Sequence, residues 1–185
     1  MPRLPAVTRD DLPADQQKHY DAISSERGGV VRGPSSYWLH SPDLAERLSH
    51  VGTYIRFENT LEPPVLELAI LTVARSRDCQ YVWSAHEPSA QKAGVRPEAI
   101  EAVKRRTAPA GLNEQETTVF TYVNELMTNH RVPEAAFQAA LAWLGRQGVA
   151  DLTATAGYYA LLTCALNAFV VLPTDPPSSL PDAEY

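Results

Sequence analysis

Cysteine is nearly missing from this chain, whose 185 residues hold only Cys79 and Cys164. Two thiols form no disulfide framework and no zinc-ligand spacing, so a reducing cytoplasm is the expected compartment. Positive charge is also sparse: 16 Lys and Arg stand against 22 Asp and Glu, for a net charge of −6. The longest basic run is Lys104-Arg-Arg, which reads as a solvated helix end, and no nucleic-acid partner is expected. Long apolar runs are missing as well. The most hydrophobic stretch, Tyr158 to Leu172, contains Thr163 and Asn167 and falls short of the roughly 18 to 20 residues that span a bilayer. The amino-terminal residues lack the apolar segment of a secretory signal, so neither export nor a membrane partner is expected. Sustained apolar/polar alternation is missing too, which removes the signature of a sheet and leaves an all-α fold.

What is present suits one soluble helical domain over residues 1–172, followed by a Pro/Ser-rich, extended tail over 173–185. Pro13 opens a helix toward Ser25, and Gly28-Gly29 with Gly33-Pro34 marks a loop before Tyr37 and Trp38. Ser41 and Pro42 are the N-cap and first residue of a helix expected to run toward Phe57. Pro63-Pro64 opens a mostly apolar helix carrying Glu67. Asp78 is the expected cap of the next, which Gly94 ends. A short helix follows from Pro97 to about Arg105, and Asn113 with Glu116 has the spacing of a capping box. Two further helices are expected, from Pro133 to about Gly145 and from Ala150 to Val171.

The richest segment runs from Glu67 through Cys79 to His86. At about 100° per residue, Cys79, Val82, Trp83 and His86 share one helix face. An acid inside an apolar stripe needs a partner, because burying an unpaired carboxylate is costly, and His86 is the nearest candidate. Each residue also has a plainer reading: Glu67 as a first-turn acid, His86 as a satisfied core histidine and Cys79 as a small buried hydrophobe.

The frame Glu67, Cys79, Val82, His86 resembles the carboxymuconolactone decarboxylase family and its alkylhydroperoxidase D-like relatives. In the peroxidase branch a glutamate precedes a Cys-x-x-Cys pair and a histidine follows on the same helix; here Val82 stands at the second cysteine position. Tyr81-x-Trp83-x-x-His86 with Ala93-Gly94-Val95 also looks like the decarboxylase branch. The resemblance extends to Arg3-Leu-Pro, His40-Ser-Pro-Asp-Leu-Ala, Arg56-Phe-Glu, Gly157-Tyr-Tyr and Asn167-Ala-Phe. It implies a compact multi-helix fold with a central helix hairpin, and assembly into a homo-oligomer, trimer or hexamer.

The function so implied is a cofactor-independent enzyme that uses Glu67 and His86 as an acid-base pair on a small carboxylated or oxygenated substrate. One His with one Glu is too few ligands for a dedicated metal site, so no metal is expected. Tyr81 and Trp83 are candidates to wall a planar substrate, although aromatics at helical spacing are more often core. Arg56 is a candidate carboxylate anchor, with pairing to Glu58 or Glu62 as the alternative of greater weight. Cys79 in a first helical turn, where the dipole favours a thiolate, offers a peroxide or thiol-redox alternative that lacks a resolving thiol at position 82. A non-catalytic oligomeric binding protein of the same fold is the third reading.

Overall fold

A computed structural model describes residues 1–26, 28–174 and 179–181. The described residues form α-helices and no strand, as the lack of alternation predicts. In chain order these are α1 (Gln17–Glu26), α2 (Pro34–Trp38), α3 (Pro42–Thr53), α4 (Pro63–Ser76), α5 (Gln80–Ala93), α6 (Pro97–Lys104), α7 (Glu114–Thr128) and α8 (Glu134–Ala168). The helix expected to reach Phe57 does continue past Thr53, but as a π-helical turn over Tyr54–Glu58.

Helix α4 is the axis of the molecule. Every residue from Val65 to Arg75 is buried, because Leu, Ile, Val and Ala surround the helix on all sides and its few polar residues, Glu67, Thr72 and Arg75, find partners inside the protein. Helix α5 folds back against α4 to make the central hairpin, and α7 and α8 pack against the rest of α4. A smaller core of Val7, Leu12, Ile23, Leu39 and Ala45 lies beneath the amino-terminal layer formed by α1 and α3.

Local chemistry fixes most boundaries as expected. Asn113 and Glu116 form a reciprocal capping box, each backbone N–H donating 2.9 Å to the other's side chain, and Gly94 ends α5 at φ 93°. Asp78 is a correction: it does not cap α5. Its backbone is left-handed at φ 47°, and its carboxylate is held by Arg75 and by two bonds of 2.7 and 2.8 Å from Arg106. Cys79 is therefore the N-cap residue, extended at φ −84° and ψ 92°. The two helices expected around Gly145 meet end to end within α8, where Gly145 at φ 70° and ψ −179° puts a kink that only a residue without Cβ adopts easily.

Helix α8 is long and apolar enough to cross a membrane, yet 61% of its most apolar window is buried inside the protein. Leu152 and Leu166 lie in the main core, which makes α8 a core helix. Much of the expected tail, residues 175–178 and 182–185, lies outside the described residues. Leu180 is described and sits in this chain's own core, its N–H donating 2.7 Å to the Gln80 side chain.

Candidate active site

The hairpin brings α4 and α5 together so that Glu67 and His86 meet. His86 Nδ1 lies 2.7 Å from Glu67 Oε2, and both side chains are less than a tenth exposed. The carboxylate can only accept, so Nδ1 carries the ring proton and Nε2 presents its lone pair. Burial pushes the His86 imidazole below its ordinary 6.5, and the Arg56 charge adds to this, while Glu67 works in the opposite direction. The ring is therefore neutral near pH 7, with the Nε2 lone pair available to accept.

Two further groups face that lone pair. Arg56 Nη1 donates toward Nε2 at 3.2 Å, and the Tyr159 hydroxyl lies 3.3 Å from it. Arg56 also donates to Tyr159 Oη at 3.3 Å and approaches Glu67 Oε1 at 4.0 Å. Burial pushes the Tyr159 phenol up to about 12, so it stays a proton donor at neutral pH. Its ring stands perpendicular to His86, with centroids 5.1 Å apart, an edge-to-face contact that fixes the imidazole plane. Arg56 keeps a buried Nε–H without a partner.

The π-helical turn is what delivers Arg56. One extra residue per turn rotates the side chain inward, and Asp151 of α8 fastens the segment. Asp151 accepts 2.9 Å from Tyr54 Oη, 2.9 Å from Thr60 N and 2.7 Å from Thr60 Oγ1. These bonds hold its carboxyl below the usual range even though partial burial works the other way. Arg56 thus belongs to the buried site and does not pair with Glu58 or Glu62 at the surface.

Nε2 and Arg56 face a cavity of about 430 Å3 between the amino-terminal layer and α5 with α8. Tyr81 and Val82 are part of its wall, with Trp38, Phe57 and Tyr158. Trp83 corrects the expected aromatic wall. It is fully enclosed in the main core, its indole N–H donating 3.1 Å to Glu87. The reason is angular: at about 100° per residue, Tyr81, Val82, Ala85 and His86 cover the cavity side and Trp83 falls beyond its edge. Cys79 is 1% exposed and absent from the wall. Burial pushes its thiol up to about 11, with the backbone N–H groups of Val82 and Tyr81 offsetting only part. The dipole-lowered thiol expected at a first helical turn is not what this site provides. Among the described residues, no three His, Cys, Asp or Glu side chains are placed to hold a metal ion.

Tyr159 and Asp151 were missed as functional residues by reading the sequence. A signal for Tyr159 exists in the Tyr158-Tyr159 doublet inside an apolar helix, where a buried hydroxyl needs a partner; Asp151, 91 residues from Thr60, gives none.

Residues 42–125, from α3 through most of α7, match the carboxymuconolactone decarboxylase family. The fold resembles the crystal structure of an alkylhydroperoxidase AhpD core, an uncharacterised peroxidase-related protein from Ralstonia eutropha JMP134. The TM-score is 0.75 at 17% identity, over 94% of this chain and 93% of that one. A segment of this chain thus matches the carboxymuconolactone decarboxylase family, and its fold is similar to that of the alkylhydroperoxidase AhpD core. No curated protein matches it. The family match contains Arg56, Glu67, Cys79 and His86, whereas Tyr159 and Asp151 lie outside it.

Proposed function

We propose that the chain is a cofactor-independent acid-base enzyme of the carboxymuconolactone decarboxylase type, acting on a small carboxylated or oxygenated organic substrate. The supporting observation is the 2.7 Å Glu67–His86 pair, whose other ring nitrogen opens beside Arg56 on a cavity of 430 Å3. That volume suits one small organic molecule.

In this reading a substrate carboxylate or enolisable carbonyl draws the Arg56 guanidinium away from Nε2, and the freed lone pair works on the substrate carbon. Nε2 takes a proton from a carbon next to a carbonyl, and Glu67 stabilises the imidazolium that forms. The electron pair moves into the carbonyl, whose oxygen accepts from Arg56 and Tyr159. Return of the proton at carbon or oxygen completes an isomerisation or elimination. In a decarboxylation, the pair released as CO2 leaves enters the same carbonyl system, and His86 relays the replacing proton from solvent.

Turnover of carboxymuconolactone, the substrate in the family's name, by the wild type and by Glu67→Gln, His86→Ala and Cys79→Ser tests the reading. Loss with the first two and retention with Cys79→Ser is the expected result. Peroxide consumption that Cys79→Ser abolishes would instead establish the thiol-redox alternative, and inertness of every variant toward both substrates would favour a binding protein. The reading also includes cytoplasmic residence and assembly with further copies of this chain, as trimer or hexamer. Exposed Val51, Tyr54 and Phe57 on one continuous helical stretch supply apolar surface for such contacts. Light scattering that gives a clean monomer mass would remove the oligomer.

A further inference from the structure

The reaction chamber does not stand alone. A second cavity of about 520 Å3 shares Arg32, Tyr81 and Ala85 with it, so Tyr81 and Arg32 stand on the threshold between two spaces. Each space by itself is in the range that holds one small ligand; together they exceed what a compact ring compound fills. Beyond the threshold the second cavity opens to solvent and is mixed in character, with Val7, Val31 and Leu172 beside Thr8, Ser36 and Thr174 in its wall.

Both threshold side chains have polar groups left over. Arg32 is exposed to solvent and makes no hydrogen bond or ion pair among the described residues, in a chain whose acids outnumber its bases, so its guanidinium is open to an incoming anion. The acid nearest to hand in the reaction chamber, Glu26, is already engaged by Ser49 at 2.6 Å and His50 at 2.8 Å. The Tyr81 hydroxyl likewise has no hydrogen-bond partner among the described residues. The two are neighbours: the Arg32 charge acts to lower the Tyr81 phenol while burial and Tyr37 raise it. Gly33 sets the position of the ring. At φ 60° it occupies a conformation that favours glycine, and a Cβ built there would lie 2.8 Å from Tyr81 Oη.

We infer that Arg32 and Tyr81 form a second, anion-binding subsite at the threshold, which takes a distal carboxylate of an extended substrate whose reacting end lies against His86 and Arg56. This rests on the acid-base reading above and narrows its substrate class to extended, two-ended acids. The guanidinium supplies a charge-assisted pair and the phenol a second donor, a combination that favours a carboxylate over a neutral tail.

Isothermal titration of the full chain with succinate, adipate, suberate and sebacate, against the monocarboxylates butyrate, hexanoate, octanoate and decanoate, tests it. At one chain length the diacid is expected to bind at least about tenfold tighter than its monoacid, the scale of one charge-assisted contact. Arg32→Gln should remove that advantage and leave monoacid affinity unchanged, and Tyr81→Phe should reduce it. Gly33→Ala, which displaces the Tyr81 ring, is expected to shift the preferred chain length; circular dichroism checks that each variant is folded. Equal affinity for diacid and monoacid at every length, or an advantage that survives Arg32→Gln, overturns the subsite. Monoacid binding that Arg56→Gln abolishes would keep the acid-base reading standing in that case. If no acid binds at all, both fall.

Discussion

The amino-terminal cap and the middle of α5 carry a thiol and an imidazole two helical turns apart, and the fold treats them in opposite ways. At the amino-terminal end Cys79 is sealed in the core with its thiol pushed up to about 11. Two turns on, at the middle of the helix, His86 is buried almost as deeply, yet it has a carboxylate on one nitrogen and a cavity before the other. Burial raises the thiol and lowers the imidazole by the same physics, since it disfavours whichever form is charged. For the thiol this removes the reactive thiolate; for the imidazole it preserves the reactive neutral base. The difference supports the proposed acid-base reading: with Val82 at the cavity-facing position where a second thiol would stand, the wall offers an imidazole and no thiol pair.

The sharpest way to break this comparison is to exchange the two groups in activity. His86→Ala or Glu67→Gln is expected to lower kcat by about 10²-fold or more, the scale of a positioned proton-transfer group, whereas Cys79→Ser should change it by less than about twofold. Steady-state turnover on the three variants decides it. A greater loss from the cysteine variant would reverse the assignment.

A second expectation concerns the fully enclosed Trp83, which shares the motif but not the cavity. Trp83→Ala should cost about 3–5 kcal/mol of stability in denaturant unfolding. Tyr81→Phe, on the cavity wall, should cost well under half of that while altering KM. Equal destabilisation would place the two rings in the same environment.

Next in size is the Asp151 fastening. Asp151→Asn keeps the shape but weakens three bonds to the 54–60 segment, so Arg56 should lose its register. KM is expected to rise about tenfold with a smaller change in kcat, because an anchoring arginine acts mainly in binding. Arg56→Lys should reproduce the split, since an ammonium lacks the planar fork. A purely structural Asp151 would lower stability and leave KM alone.

The smallest effect is in pH. His86 is neutral in the folded protein because its proton affinity is lowered there, and it regains the ordinary affinity on unfolding. The unfolded chain therefore binds more protons below about pH 6.5, the ordinary imidazole value, and stability should decline as pH falls through that value toward the lowered folded one. His86→Gln should flatten this slope in unfolding measured between about pH 7 and 5. Persistence of the slope in the variant would assign it to the other histidines.

Features set by neighbouring residues were legible in advance. Asn113 with Glu116, Gly94 and Pro63 place helix ends through local backbone chemistry, and the apolar run after Pro64 shows a helix with no solvent face. The Glu67–His86 contact was within reach because a hairpin brings adjacent helices together. What was illegible depends on distant segments. Nothing near Arg56 in sequence shows that Tyr159, 103 residues on, awaits it. Asp78 looked like a cap by residue type, and only the approach of Arg106 from beyond α6 explains its turn to left-handed backbone. Trp83 lies one step around the helix from the cavity face, a distinction that depends on where α8 packs.

The contact between Arg56 and His86 Nε2 gives the resting site its own tethered competitor. Fastened by a short segment, the guanidinium meets the imidazole at an effective concentration on the order of mM, so a neutral ligand reaches the base only by outcompeting it. An acid instead carries the competitor away, and discrimination between acids and their amides or esters should appear in the affinity that forms the bound complex more than in its rate.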